Sequence, residues 1–166
     1  GQFRLLHQVL PARNLSGINP PIVLMFAGGG TNSAPTRYSA YTVSKIACIK
    51  MCEILDAEIQ DTVFTILGPG WVDTKIHSAT LRAGVESAGK NYLRTIEVIE
   101  SSNWTAIDDV VECCDWLINA RREVIAGRNI DAVADPWDSD AINEIESDPD
   151  MFRLRRFGNT AFRGSV

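Results

Sequence analysis

Apolar residues fall along this chain in blocks whose period switches between helical and strand-like. Phe3, Leu6, Val9 and Leu10 recur at helical spacing before Pro11, Asn14, Ser16 and Gly17 end the pattern, which predicts a helix and a turn. Ile22 to Ala27 (IVLMFA) is then an unbroken apolar run stopped by three glycines. Such a run predicts a strand buried on both faces, as in a parallel sheet covered by helices. Helical spacing returns from Ser39 to Gln60, with Ala40, Ala47, Met51, Ile54 and Leu55 expected in the core and Glu53, Asp56 and Glu58 in solvent. Thr62 to Leu67 (TVFTIL) predicts a second strand, ending at Gly68-Pro69-Gly70.

From Lys75 to Asn103 the periodicity fades, and the expectation is an irregular polar connection with at most short helices, of the kind that serves as a mobile lid. Val110, Val111, Cys114, Leu117 and Ile118 then predict a helix over Asp108 to Asn119, with Thr105 as its N-cap and Asp108 in the capping-box position. Gly127 leads into a third strand, Asn129 to Ala134, and the tail from Asp135 is acidic first and basic last. Alternation of this kind predicts parallel strands joined by right-handed crossovers, part of a doubly wound α/β sheet. Three strands are few for that architecture, so the sheet is expected to have an exposed apolar edge and the chain to be a piece of a larger domain. The chain opens on Gly1 inside an apolar-periodic segment, which predicts a processed, cleaved or truncated polypeptide.

Composition narrows the partners. The formal net charge of −5 argues against nucleic acid, because phosphate contacts need clustered Lys and Arg. The basic cluster Arg153, Arg155 and Arg156 is expected to be a solvated tail. No apolar run approaches the roughly 18–20 residues that span a bilayer, and the expectation is a cytoplasmic protein without a membrane partner. Cys48, Cys52, Cys113 and Cys114 lack zinc-knuckle or redox spacing and read as buried reduced thiols; no metal is expected. His7 and His77 are isolated in sequence.

In an open α/β sheet, ligands bind beyond the carboxyl ends of the strands, which here places Gly28-Gly29-Gly30 and Pro69-Gly70 at the expected site. On the helix after the first loop, Tyr41 and Lys45 stand at i and i+4, one above the other. An ammonium beside a phenol favours the phenolate and lowers a pKa ordinarily about 10. A tyrosine so placed can exchange a proton with a substrate oxygen. By itself the pair also fits an ordinary helix face.

Its surroundings resemble the short-chain dehydrogenase/reductase family over nearly the whole chain. In that family an apolar strand leads to a serine-bearing loop, a Tyr-x-x-x-Lys helix, and a strand ending in Pro-Gly-x-x-x-Thr. The matching segments are IVLMFAGGG, YTVSK with Tyr41 and Lys45, and PGWVDT with Pro69, Gly70, Val72 and Thr74. DDVVECCDWLI and AGRNIDAV match the family's last helix and last strand. The resemblance implies the carboxyl-terminal portion of a Rossmann-like doubly wound parallel sheet, with the amino-terminal βαβ half absent. It implies one partial domain over 1–166, with 75–103 as the substrate lid and 135–166 as the tail. Tyr41 would be the general acid/base, and Lys45 would lower its pKa and hold the nicotinamide ribose. Pro69, Gly70, Val72 and Thr74 would hold the carboxamide and pyrophosphate side of NAD or NADP. A small-molecule alcohol or carbonyl would be the substrate, with Gly28, Gly29, Tyr92 and Trp104 as candidate contacts. Homodimers or homotetramers would form through the Tyr41 helix, near Cys48, Met51, Cys52 and Leu55.

Two departures stand out. The family's catalytic serine falls on Gly28. In a subgroup resembling Ala27 to Gly30, Asp135 to Trp137 and Leu154 to Arg156, it falls on Ala27; neither carries a hydroxyl. Losing such a donor costs about 3 kcal/mol by analogy with an oxyanion hole, although the backbone N–H groups of Gly28 to Gly30 are possible substitutes. The family's phosphate loop precedes the helix at which this chain begins, and Gly28 to Gly30 is followed by a loop rather than a helix N-terminus. Three readings follow: a truncated and inactive NAD(P)-dependent oxidoreductase chain, a non-catalytic assembly or ligand-binding relative, and a generic α/β fragment.

Overall fold

Every residue from Val63 to Gly68 is buried, and this segment, β2, is the middle strand of a three-stranded parallel sheet. The computed structural model describes residues 1–156, so 157–166 of the expected tail lie outside the described residues. β1 (Ile22–Phe26) pairs with β2 in register from Ile22↔Val63 to Phe26↔Leu67, and β3 (Asn129–Asp131) pairs along the other side from Ile66↔Asn129 to Gly68↔Asp131. The helices are α1 (Gln2–Val9), α2 (Ser39–Glu58), α3 (Ser78–Ala88), α4 (Lys90–Ser101), α5 (Ile107–Asn119) and α6 (Arg122–Ile125). Among the described residues no helix is long and apolar enough to cross a membrane.

Successive side chains of a strand point to opposite faces, and β2 uses this to anchor two cores. Phe64 and Ile66 join Met25, Ala27, Cys48, Ile49 and Cys52, with Phe3, Leu6 and Leu10 packed against them. Val63 and Leu67 join Val110, Cys113, Leu117, Val124, Ile125, Ile130, Ile142 and Ile145. Thus α1 and α2 cover one face, while α5, α6 and the 3-10 turn Asp140–Ser147 cover the other.

Several expectations change. β1 is not buried on both faces: Phe26 is 42% exposed, because β1 is the edge strand and nothing pairs with its outer side among the described residues. On α2 the core face is Cys48, Ile49 and Cys52 with Ile46 and Leu55 beside them, whereas Ala40, Ala47, Met51 and Ile54 are exposed. This helix is apolar nearly all round, so its period alone could not choose the face; contact with Phe64 and Ile66 does. Its acids are also less solvated than expected. Asp56 Oδ1 accepts from Phe64 N at 3.1 Å and pairs with Arg122 at 3.0 Å, and Glu53 pairs with Lys50 and Arg155.

The segment expected to be irregular is instead a pair of helices, α3 and α4, joined at Gly89 (φ 57) and kinked at Gly84 (φ 71). Glycines at these backbone angles break the apolar period without ending the helical pair. At α5, Ala106 and not Thr105 occupies the N-cap, and Asp108 and Asp109 in the first turn complement the helix dipole. The basic end is not a solvated tail either: Arg153 donates to Ala126 O at 2.8 Å, and Arg155 reaches both Glu53 and Asp150.

Leu117 is fully buried between α5 and the sheet, whereas its neighbour Ile118 is 49% exposed. Leu117→Ala should therefore cost about 2–5 kcal/mol, seen as a lower urea midpoint at constant slope. Ile118→Ala should stay within about 0.5 kcal/mol.

Candidate functional site

The carboxyl ends of β1 and β2 lie side by side, since Phe26 faces Leu67 across the sheet. Residues that leave the two strands therefore emerge about one strand spacing, roughly 4.8 Å, apart. From β1 come Ala27 and Gly28; from β2 come Pro69, Gly70, Trp71 and Val72. The pairing thus gathers two loops that are far apart along the chain.

Tyr41 and Lys45 lie on the first turns of α2, directly over the first loop. Lys45 Nζ donates to Phe26 O at 3.0 Å and stands 5.9 Å from the centre of the Tyr41 ring. The phenol rests on Gly28: a Cβ placed there would be 2.3 Å from the Tyr41 hydroxyl oxygen and 3.0 Å from Lys45 Cγ. Any side chain at 28, serine included, would collide with Tyr41 where it stands. The bare backbone at 28 and the position of the phenol are thus one fact seen twice.

The expected lowering of the tyrosine pKa is not found. Burial, and then the nearby Tyr38, hold the Tyr41 phenol above its ordinary value of 10.0. The ammonium of Lys45 is engaged with the Phe26 carbonyl, beside the ring rather than on the hydroxyl. Tyr38 sets its ring edge-on to Tyr41, with centroids 5.9 Å apart, and its hydroxyl hydrogen-bonds Thr80 Oγ1 on α3. Tyr38 thus ties the start of α2 to α3.

The second loop is braced from behind. Gly70 has φ 70, and a Cβ there would lie 2.3 Å from Thr105 Oγ1. Trp71 N donates to Thr105 Oγ1 at 3.0 Å while Thr105 N donates to Trp71 O at 2.7 Å, so the threonine expected to cap α5 clamps this loop instead. Val72 O accepts from His77 Nε2 at 2.9 Å, and Thr74 Oγ1 accepts from Ile76 N at 3.4 Å. His77 is not isolated: it stacks on Trp71 at 5.3 Å and meets Trp104 at 5.2 Å. Tyr92 stands half-buried in the first turn of α4, next to Asn91, whose amide donates to Thr36 O at 2.8 Å. The signals for Tyr38, Thr105 and His77 were unreadable in one dimension, because each depends on a partner more than twenty-five residues away or on a stacked ring.

The place a Cβ would take at Gly28 is filled by Tyr41 and Lys45, and that at Gly70 by Thr105 and Val133. Gly28 to Gly30 leads into the turns at 31–37 and not into a helix N-terminus, since α2 begins only at Ser39. Among the described residues no group of His, Cys, Asp or Glu is arranged to hold a metal ion. The thiols of Cys48, Cys52 and Cys113 are buried, Cys114 is half-buried, and burial pushes Cys113 up to about 12. These are poor nucleophiles. A cleft of about 690 Å³ opens at the carboxyl ends of β2 and β3 between Trp71, Trp104, Trp137, Asp131 and Asp135, and neither Tyr41 nor Lys45 lines it.

Comparison with protein families, with curated proteins and with solved structures finds no match to this chain.

Gly28→Ala should push the phenol off the loop into water, and Tyr41 should then titrate at lower pH, read as phenolate absorbance against a Tyr41→Phe background. In the unchanged protein the raised phenol contributes stability below about pH 10 that is lost as pH climbs through the folded value. Chemical unfolding followed between neutral and alkaline pH should show a smaller alkaline loss in Gly28→Ala than in the parent.

Proposed function

We propose that this chain is the carboxyl-terminal portion of a Rossmann-like doubly wound domain and carries the proton-transfer half of a short-chain dehydrogenase/reductase site. The observation that carries the reading is the placement of Tyr41 and Lys45. They stand on the helix that joins two parallel strands, against the carboxyl end of the first, beside a Pro-Gly loop leaving the second. Ligands of open α/β sheets sit at such a crevice.

In this reading Lys45, Pro69, Gly70, Val72 and Thr74 would hold the nicotinamide end of NAD or NADP, which when bound supplies or accepts a hydride. Tyr41 would pass a proton to the oxygen of a carbonyl substrate, or take one from an alcohol. A half-buried, raised phenol is a proton donor across neutral pH, which favours the direction of carbonyl reduction. Carbon–oxygen polarisation would come from Tyr41 together with the backbone N–H groups of Gly28 to Gly30, because no hydroxyl can stand at Gly28 while Tyr41 does. The exposed apolar positions Val43, Ala47, Met51 and Ile54, along one side of α2, suit pairing of two copies through this helix. Cys48 and Cys52 face the sheet and take no part in that surface.

One feature favours a second reading, a non-catalytic relative that binds a ligand or assembles with its own kind. Lys45 is tied to a backbone carbonyl and the phenol is raised rather than lowered, so the pair is not poised as a base.

The two readings separate on the native protein as isolated from its own cells. The enzyme reading expects nicotinamide-dependent turnover of some member of a broad alcohol and carbonyl panel, with Tyr41→Phe lowering it about 10²–10⁴-fold and cofactor affinity changing little. Absence of both turnover and saturable nicotinamide binding would sink it in favour of the second.

A further inference from the structure

Polar contacts from the α3–α4 hairpin converge on Thr36, Arg37 and Tyr38, the three residues that lead into the helix of Tyr41. Asn91 Nδ2 donates to Thr36 O at 2.8 Å, Arg37 Nη1 donates to Glu86 O, and the Tyr38 hydroxyl bonds Thr80 Oγ1. Arg37 holds φ 64, a left-handed conformation that a side-chain-bearing residue keeps only where its surroundings over-determine it. Its side chain lies along the turn between the two helices, with Cδ 3.3 Å from where a Cβ of Gly89 would be.

The hairpin itself is lightly anchored by apolar packing. Thr80, Ala88, Thr95 and Val98 are its buried residues, while Leu81, Val85 and Leu93 are exposed. Elements with few buried apolar contacts open at low free energy, and Gly84 and Gly89 already supply points where the backbone can turn. What holds the hairpin in place is thus largely the set of bonds to residues 36–38. Tyr38 is the member of that set which also touches Tyr41, ring edge against ring face at 5.9 Å.

We infer that Tyr38 is a positioning residue for Tyr41: its hydroxyl latches the α3–α4 hairpin through Thr80, and its ring conveys the hairpin's placement to the phenol below. With the latch made, Tyr38 is fixed at both ends and Tyr41 is confined between it and Gly28. With the latch broken, Tyr38 turns freely, water reaches the Tyr41 hydroxyl, and the hairpin swings on its glycines. The titratable groups that face Tyr41 are Tyr38 and Lys45 from its own helix and cap; the β1 loop packed against it presents Gly28 and no charge. The latch stands on these contacts alone, while its catalytic meaning rests on the reading of Tyr41 as the acid/base.

Thr80→Val tests the latch, because it removes a hydroxyl of nearly the same shape without touching Tyr41. Amide hydrogen exchange over 78–101 should quicken by about tenfold or more with β2 and α5 unchanged, and Tyr41 should titrate at lower pH. Tyr38→Phe should quicken the hairpin equally, the double variant should add nothing further, and Thr80→Ser should restore both readouts. Parent-like exchange and titration in Thr80→Val, or a folded Thr80→Ser that fails to restore them, overturns the proposal. If Thr80→Val does not fold, Asn91→Ala breaks the set at Thr36 and must move both readouts the same way. Neither measurement uses turnover, so failure of the enzyme reading would leave them untouched.

Discussion

The structure hangs on β2. Val63 to Leu67 pair with β1 on one side and Ile66 to Gly68 with β3 on the other, and the strand's side chains alternate between the two cores. A strand in that position has no solvent face, so every residue in it must be apolar or small, or must satisfy its polar atoms locally, as Thr65 does by donating to Arg128 O. Because both neighbours run parallel to it, the chain must cross back over the sheet twice, and those returns bring α2 over one face and α5 with α6 over the other. The parallel arrangement also stacks the carboxyl ends of the strands along one edge, which is why loops so far apart in sequence become neighbours there.

At that edge the geometry turns on two glycines. Gly28 gives the phenol of Tyr41 somewhere to rest, and Gly70 lets the second loop pass against Thr105. Neither glycine contributes an interaction of its own; each removes a Cβ that would be in the way. The arrangement is therefore intolerant of side chains at two places and dependent on backbone groups around them. A side chain at 28 cannot coexist with Tyr41 in this position, which makes the glycine and the tyrosine rotamer a coupled choice.

Much of the frame was legible in one dimension. The two longer strands, α2 and α5 were readable because an apolar run ending in glycine and a 3.6-residue period are direct images of burial. The Tyr41–Lys45 pair was readable because i and i+4 on a helix are neighbours whatever else the chain does. The face of α2 was not, since a helix apolar on most sides carries no phase. Nor was the α3–α4 hairpin, whose two glycines interrupt the period that would have announced it. The contacts of His77, Thr105 and Arg155 were not legible, because each finds its partner outside its own segment.

The sequence by itself thus determined the alternation of strands and helices, the parallel sense of the sheet, and the presence of a tyrosine and a lysine near its carboxyl edge. Local periodicity and short-range geometry suffice for all of these. Only the tertiary structure decided that β1 is an edge strand, which side of α2 is buried, and what state the phenol is in. That last point reversed the expectation: spacing put an ammonium near Tyr41, but packing turned Lys45 to a carbonyl and drew the phenol out of water against Gly28 and Tyr38. A pKa follows from solvation and from distances in space, and neither is a property of spacing along a chain.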